Sequence, residues 1–155
     1  MKLFLSTYSF KIDKKGRISL PSTYRSILNG KQKIELILFK SFKYPSIEAC
    51  GYHYIENLSK KIDQLDVFSD DQDDFTTSIF SELNPISLDQ EGRFIIPEDL
   101  RNHAQIQNEA TFIGKGHSFQ IWNPELIASR KMESSKRLTE NKKTLRSIII
   151  KGNDE

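Results

Sequence analysis

Ile12-Asp13-Lys14-Lys15-Gly16-Arg17-Ile18-Ser19-Leu20-Pro21-Ser22-Thr23-Tyr24-Arg25 returns 76 residues later as Leu88-Asp89-Gln90-Glu91-Gly92-Arg93-Phe94-Ile95-Ile96-Pro97-Glu98-Asp99-Leu100-Arg101. Asp, Gly, both Arg and Pro are identical, and the apolar positions stay apolar. An ungapped match that includes Gly and Pro is not a chance event, so the chain is read first as an internal repeat. In each copy Asp-x-x-Gly is a turn signature. The Asp carboxylate can accept backbone N–H bonds, and Gly suits a position of positive φ. Apolar residues on both sides make it the tip of a β-hairpin.

Outward from the tip, Arg17–Leu20 and Arg93–Ile96 read as short strands. Pro21 and Pro97 stop them and suit the first position of a helix, where a missing N–H is no loss. Glu98 and Asp99 add negative charge to the first turn of the second helix, which the helix dipole favours. Upstream, Phe4–Ile12 alternates weakly, with Tyr8, Phe10 and Ile12 on one face. Downstream, Ile34–Phe39 and Ile47–Cys50 are the strands expected in copy one, and Ala110–Gly114 and Ser118–Trp122 those in copy two. Asn29-Gly30 is the expected end of the first short helix.

The doubled Asp-x-x-x-Arg element (Asp13/Arg17 and Asp89/Arg93) and the closing Gly116-His117-Ser118-Phe119-Gln120-Ile121-Trp122 resemble the MraZ family of bacterial transcriptional regulators. That family is built from two SpoVT-AbrB-type swapped-hairpin domains. The resemblance covers roughly residues 4 to 130. Two departures stand out: Ser6 where the family usually has Gly, and Ile47-Glu48-Ala49-Cys50 in place of a Trp-containing end to the first repeat. The resemblance implies a β-rich α+β fold of two pseudo-repeated, AbrB-like double-psi, β-barrel-like units joined and flanked by helices. It further implies a DNA-binding regulator, often a repressor, acting as a ring-shaped homo-oligomer on short repeated promoter elements of the cell-division and cell-wall gene cluster. The location implied is the cytoplasm, at the nucleoid.

Between the repeats, Ile55, Leu58, Ile62 and Leu65 form one face of a helix expected over Tyr54–Leu65. Ser69 with Gln72 looks like a capping box for a second helix striped by Phe75, Ile79 and Leu83. Asn123-Pro124-Glu125 starts a last helix. Residues 129–147 are polar and basic and are expected to fray, with Ile148-Ile149-Ile150 docking back on the protein. The organisation expected is a first domain over 7–54, a helical connector over 55–82, a second domain over 83–126, and a C-terminal helix with a flexible basic tail over 127–155.

Composition narrows the class. Residues 1–50 carry a net charge of +7, residues 51–100 of −9, and residues 101–155 of +4, so the near-neutral total hides a basic first copy. Such a segment suits a polyanion, although a basic run is also a common solvated face. No apolar run reaches membrane-spanning length, and Met1–Ser6 is too short and weakly charged for a signal peptide. The single Cys50 forms no internal disulfide and suits a reducing compartment. His53, His103 and His117 match no metal-ligand spacing, there is no P-loop, and Asp70-Asp71-Gln72-Asp73-Asp74 lacks the spacing of a calcium loop. No catalytic residues, cofactor, metal or small-molecule substrate are expected.

The candidate site is therefore the two tips. Arg17 and Arg93 can each pair with the two acceptors of a guanine in the major groove, or form a structural ion pair with Asp13 and Asp89; the two roles are compatible. Lys11, Lys14 and Lys15 suit phosphate contacts, where the second tip has Gln90 and Glu91. Arg25 and Arg101 are candidates for a phosphate or intersubunit contact. The expected partners are double-stranded promoter DNA and further copies of the chain. The competing reading is a non-catalytic, antitoxin-like interaction scaffold whose helices and tail bind a protein.

Overall fold

The computed structural model describes residues 2–28, 36–66 and 68–153. The expected helix end at Asn29-Gly30 and the start of the strand from Ile34 lie outside these residues. The chain forms two compact units, residues 1–123 and 124–155.

In the first unit copy one supplies β1 (Thr7–Lys11), β2 (Arg17–Ser19), α1 (Ser22–Arg25), β3 (Leu36–Lys40) and β4 (Ile47–Gly51). The connector holds α2 (Tyr52–Asp63), α3 (Asp70–Ser78) and a 3-10 turn (Phe80–Glu82). Copy two supplies β5 (Asn84–Ile86), β6 (Arg93–Ile95), α4 (Glu98–Ala104), β7 (Glu109–Gly114) and β8 (Phe119–Trp122). Pro21 and Pro97 stand just before their helices and cap them; the Pro97 carbonyl accepts from Leu100 and Arg101 N–H at 3.1 and 3.0 Å. Ser69 caps α3 through Gln72 N–H, as its sequence suggests.

Six strands form one antiparallel sheet in the order β1-β7-β8-β4-β3-β5, and β2 pairs with β6 in a separate ladder. The fold is thus β-rich α+β. The sheet is open, with β1 and β5 at its ends, and does not close into the barrel that the resemblance implies. The copies interleave. β1 of copy one pairs with β7 of copy two, and β5 of copy two with β3 of copy one.

The registers fix which residues correspond. Tyr8 and Asn84 share the offset of the tips, and their partners across the ladders are Phe112 and Leu38. Those in turn pair with Ile121 and Ala49. Leu38 therefore corresponds to Phe112, Ala49 to Ile121, Glu48 to Gln120 and Cys50 to Trp122. Copy two has lost two residues before its third strand and two more in the hairpin that follows. Steps of two preserve which side chains face inward; a step of one would have turned each strand over. Ile18 faces Phe94 and Glu48 faces Gln120, each residue opposite its own counterpart. A pseudo-twofold axis runs through both pairs.

The core lies on one face of the sheet. Leu36, Leu38, Ile47, Ala49, Phe112, Phe119 and Ile121 meet Ile18 and Phe94 from the ladder and Tyr24 and Leu100 from the short helices. Tyr24 is fully buried. Its ring lies 5.3 Å from Phe4, 5.5 Å from Tyr8 and 4.9 Å from Phe119, so it joins both copies. Its hydroxyl donates to the Ser6 carbonyl at 2.7 Å, and burial pushes its pKa up to about 12.

Ser6 sits at φ +73°, a left-handed conformation held by two bonds to its carbonyl, from Tyr24 Oη and from Gly114 N–H. A side chain there costs about 1–2 kcal/mol, while glycine gives back part of that through a more flexible unfolded chain. Ser6→Gly is expected to stabilise the protein by about 0.5–1 kcal/mol, read as a higher denaturant midpoint at unchanged slope.

The second unit is helical: α5 (Pro124–Glu140) and α6 (Leu145–Asn153). The segment expected to fray is ordered helix up to Glu140, assisted by a Lys136–Glu140 pair one turn apart at 3.9 Å. Ile148 and Ile149, expected to dock, are exposed. Among the described residues no helix is long and apolar enough to cross a membrane.

Candidate nucleic-acid interface

The two tips are built alike. In the first, Asp13 Oδ1 accepts from Lys15 N–H at 3.0 Å and Arg17 N–H at 2.8 Å, and Oδ2 accepts from Arg17 Nε at 2.7 Å. In the second, Asp89 Oδ1 accepts from Glu91 N–H and Arg93 N–H, both at 2.9 Å, and Oδ2 from Arg93 Nε at 2.9 Å. Asp N–H to Arg carbonyl bonds of 2.9 Å close both loops. Gly16 and Gly92 adopt φ of +82° and +75°. The Asp at each tip therefore makes the turn and aims the Arg, so the ion-pair reading and the base-reading role occupy the same geometry.

Each Asp holds its Arg by Nε alone. Among the described residues the Nη amino groups of Arg17 have no hydrogen-bond partner, which leaves its fork free for a planar pair of acceptors. Arg93 differs: its Nη1 also meets Glu91 Oε2 at 3.2 Å. The hydrogen bond and charge of Asp89 raise the pKa of Arg93.

Backbone N–H bonds from the Arg, above all, hold both Asp carboxyls below their ordinary value of 3.8. A depressed carboxylate pKa stabilises the fold above the ordinary value, and that stabilisation is lost as pH falls through the depressed one. The side-chain carboxyl resonances of Asp13 and Asp89 are expected to titrate with midpoints below 3.8, with the tip amide shifts of Arg17 and Arg93 moving in the same step.

On the β2–β6 ladder Ile18 and Phe94 point into the core, so Arg17, Ser19, Arg93 and Ile95 share the outer face. Arg17 and Arg93 border a single hollow of about 430 Å³ with Leu88 and Ile95. Ile95 is 57% exposed between the two arginines, which sequence reasoning missed. Its signal was present: Arg93-Phe94-Ile95-Ile96 alternates outward and inward, and an outward Ile opposite Arg17 is out of place on a merely solvated face. Such a side chain can pack on a thymine methyl.

Lys14 and Lys15 are exposed on the first tip, and Gln90 and Glu91 on the second. Lys11 is exposed at the end of β1, opposite Glu109. Arg25 and Arg101 are engaged within the chain. Arg25 Nη1 donates across the repeat to the Glu91 carbonyl at 3.2 Å, and Arg101 Nη2 donates to the Gln107 carbonyl at 2.7 Å. A Cβ on Gly92 would lie 2.2 Å from Arg25 Nη1, whereas one on Gly16 would meet nothing within 4 Å. Copy one thus buttresses the tip of copy two.

The family model described as "MraZ protein, putative antitoxin-like" matches residues 3–43 and 79–145. A protein of Rickettsia rickettsii (strain Sheila Smith) called "Transcriptional regulator MraZ" is 42% identical over 144 residues, spanning 90% of this chain and 97% of its own. A protein of the same name from Pelagibacter ubique (strain HTCC1062) is also 42% identical over 144 residues, spanning 93% of each chain. With both tips inside the matched segments and similarity along nearly its whole length, the chain belongs to the MraZ family.

Proposed function

We propose that this protein is a transcription regulator that binds double-stranded DNA sequence-specifically through its Asp-x-x-x-Arg tips. The observation that carries the reading is the paired tip: Asp13 aims Arg17 by Nε and leaves its Nη groups free, on an outer face shared with Arg93 and Ile95 and beside the exposed Lys14 and Lys15. Arg17 and Arg93 read base edges, Asp13 and Asp89 orient them, and Lys11, Lys14 and Lys15 bind phosphates. The first tip supplies most of the electrostatics, and the second, more tightly held by Glu91 and Arg25, mainly positions. Arg25 and Arg101 act chiefly by bracing loops.

One pair of tips gives little contact area. A ring-shaped homo-oligomer would link several, so that each engaged tip raises the effective concentration of the next. Its sites would be short repeated promoter elements of the cell-division and cell-wall gene cluster, bound as a repressor in the cytoplasm at the nucleoid. Residues 7–54 and 83–126 would be the two swapped-hairpin, AbrB-like units, 55–82 their connector and 127–155 a C-terminal helix and basic tail. The name borne by the relatives and the interleaved pairing of β1 with β7 and β5 with β3 support this reading.

The test is binding of the purified protein to the promoter upstream of its own gene, against random DNA, across a salt series. Lys14→Ala with Lys15→Ala is expected to lower the salt slope by about two for each tip engaged and to weaken all sequences alike. A second reading, an antitoxin-like protein scaffold, takes its support from the family description. Under it no promoter fragment competes better than random DNA, and the tip variants bind as the natural protein does.

A further inference from the structure

The pseudo-twofold axis makes one comparison that neither the tips nor the family explain. In copy two, Trp122 is 2% exposed on the sheet face opposite the core, with Tyr44, from the hairpin loop of the other copy, 5.6 Å away. Its Nε1 donates to Gln120 Oε1 at 2.9 Å, and Gln120 Nε2 donates to Glu48 Oε1 at 2.8 Å. Copy one has Glu48 where copy two has Gln120, and Cys50 where copy two has Trp122. The chain of donors ends on Glu48, whose Oε2 has no partner among the described residues. The aromatic N–H that symmetry would deliver to that oxygen is missing, because Cys50 has no ring.

Space stands where the ring would be. A cavity of about 370 Å³ lies over Cys50 and Glu48, walled by Phe39, Phe42 and Tyr54, with Ser118 at its border. Ser118 belongs to the hairpin loop of the other copy, the same relation that Tyr44 bears to Trp122. The volume falls within the range of about 300–1,000 Å³ usual for small-molecule sites, and the lining has their character: aromatic and apolar walls with a few polar groups, Glu48 as the acceptor and Lys43, Ser41 and Ser118 at the edges. Phe42 is 77% exposed and Tyr54 45% exposed, large rings left in water at the mouth of the cavity. Burial, and then the neighbouring Glu48, push the Cys50 thiol up to about 12, so it contributes a polarisable, uncharged floor to the cavity and no nucleophile.

We propose that this cavity is a binding site for a free planar bicyclic aromatic bearing one N–H donor, of which indole is the simplest. The ring occupies the place of the missing counterpart of Trp122, stacked among Phe39, Phe42 and Tyr54, and its N–H donates to Glu48 Oε2. The site is separate from the tips and does not depend on the DNA-binding reading.

The test is calorimetric titration of the full-length protein with indole and with 1-methylindole, alongside Cys50→Trp. Saturable binding of one indole per chain is expected. 1-Methylindole, with the same ring and no donor, should bind about tenfold more weakly, the loss of one hydrogen bond to a charged acceptor. Cys50→Trp, which puts the chain's own indole in the cavity, should abolish binding while leaving assembly and the circular dichroism spectrum unchanged. Absence of saturable binding, equal affinity for the two compounds, or undiminished binding by folded Cys50→Trp would each overturn the proposal. The comparison of the two compounds on the natural chain decides it even where the variant does not fold.

Discussion

Arg17→Ala is expected to abolish the preference for promoter DNA over random DNA while leaving assembly and fold intact. The Arg17 side chain is partly exposed and its guanidinium is bonded only to its own Asp13, itself at the surface, so its removal strands no buried group. What it removes is a fork already aimed. A bidentate arginine–guanine pair discriminates by about 1–3 kcal/mol, and two tips engaged on a repeated site roughly double that. The loss in specific affinity is then at least about 30-fold, against little change on random DNA. Arg17→Lys separates charge from geometry. It keeps the cation and so the salt slope, but an ammonium cannot span two acceptors, and sequence preference should fall nearly as far as with alanine. Arg93→Ala should cost less, because Glu91 already engages one of its amino groups. Competition binding at fixed salt, read beside the mass of the protein in solution, measures all three; equal affinity of Arg17→Ala and the natural protein for the promoter would make the tips structural.

The parts of this fold set by neighbouring residues were legible in the sequence. Asp-x-x-Gly made both tips, with the carboxylate bonds and positive φ expected of them, and Ser69 capped α3. What was not legible was set by distant partners. Tyr8 and Phe10 alternate as they would in any half-buried strand, and nothing in them says that β1 will pair with β7 about a hundred residues on. The interleaving and the open sheet follow only from the registers; that Ile47–Cys50 lacks a Trp-containing end was visible in the sequence, but the match of Cys50 with Trp122 residue by residue was not. The same holds at the site. Asp13, Arg17, Asp89 and Arg93 were singled out by the repeat, and each Asp does meet its Arg, but the reach of Arg25 to the Glu91 carbonyl crosses 66 residues of sequence and leaves no local trace. Ser6 shows the intermediate case. As a departure from the family's glycine it was visible at once, yet its meaning needed the φ of +73°.

The largest effect on stability is expected at Tyr24, one helical turn beyond the strand that carries Arg17. Truncating a buried aromatic to alanine costs about 3–5 kcal/mol, and this ring has above-average reason to reach the upper end. It makes edge or tilted contacts with Phe4, Tyr8, Phe112 and Phe119, two residues from each copy, so a cavity there loosens the joint between the copies as well as the core. Domains of this size are stable by about 5–15 kcal/mol, so a loss of about 5 kcal/mol in Tyr24→Ala takes from about a third to all of that margin. Tyr24→Phe keeps the ring and removes only the hydroxyl, at about 0.5–1.5 kcal/mol, most of it for the Ser6 carbonyl left with one donor fewer. Because the proposed self-association would add to apparent stability, both variants and the natural chain must be unfolded at one protein concentration. A wide gap between the two denaturant midpoints assigns the stabilisation to ring packing across the copies. A narrow gap would assign it to the Tyr24 hydroxyl's bond to the Ser6 carbonyl, one of the two that hold Ser6 in its left-handed turn, and Ser6→Gly should then restore most of what Tyr24→Phe loses.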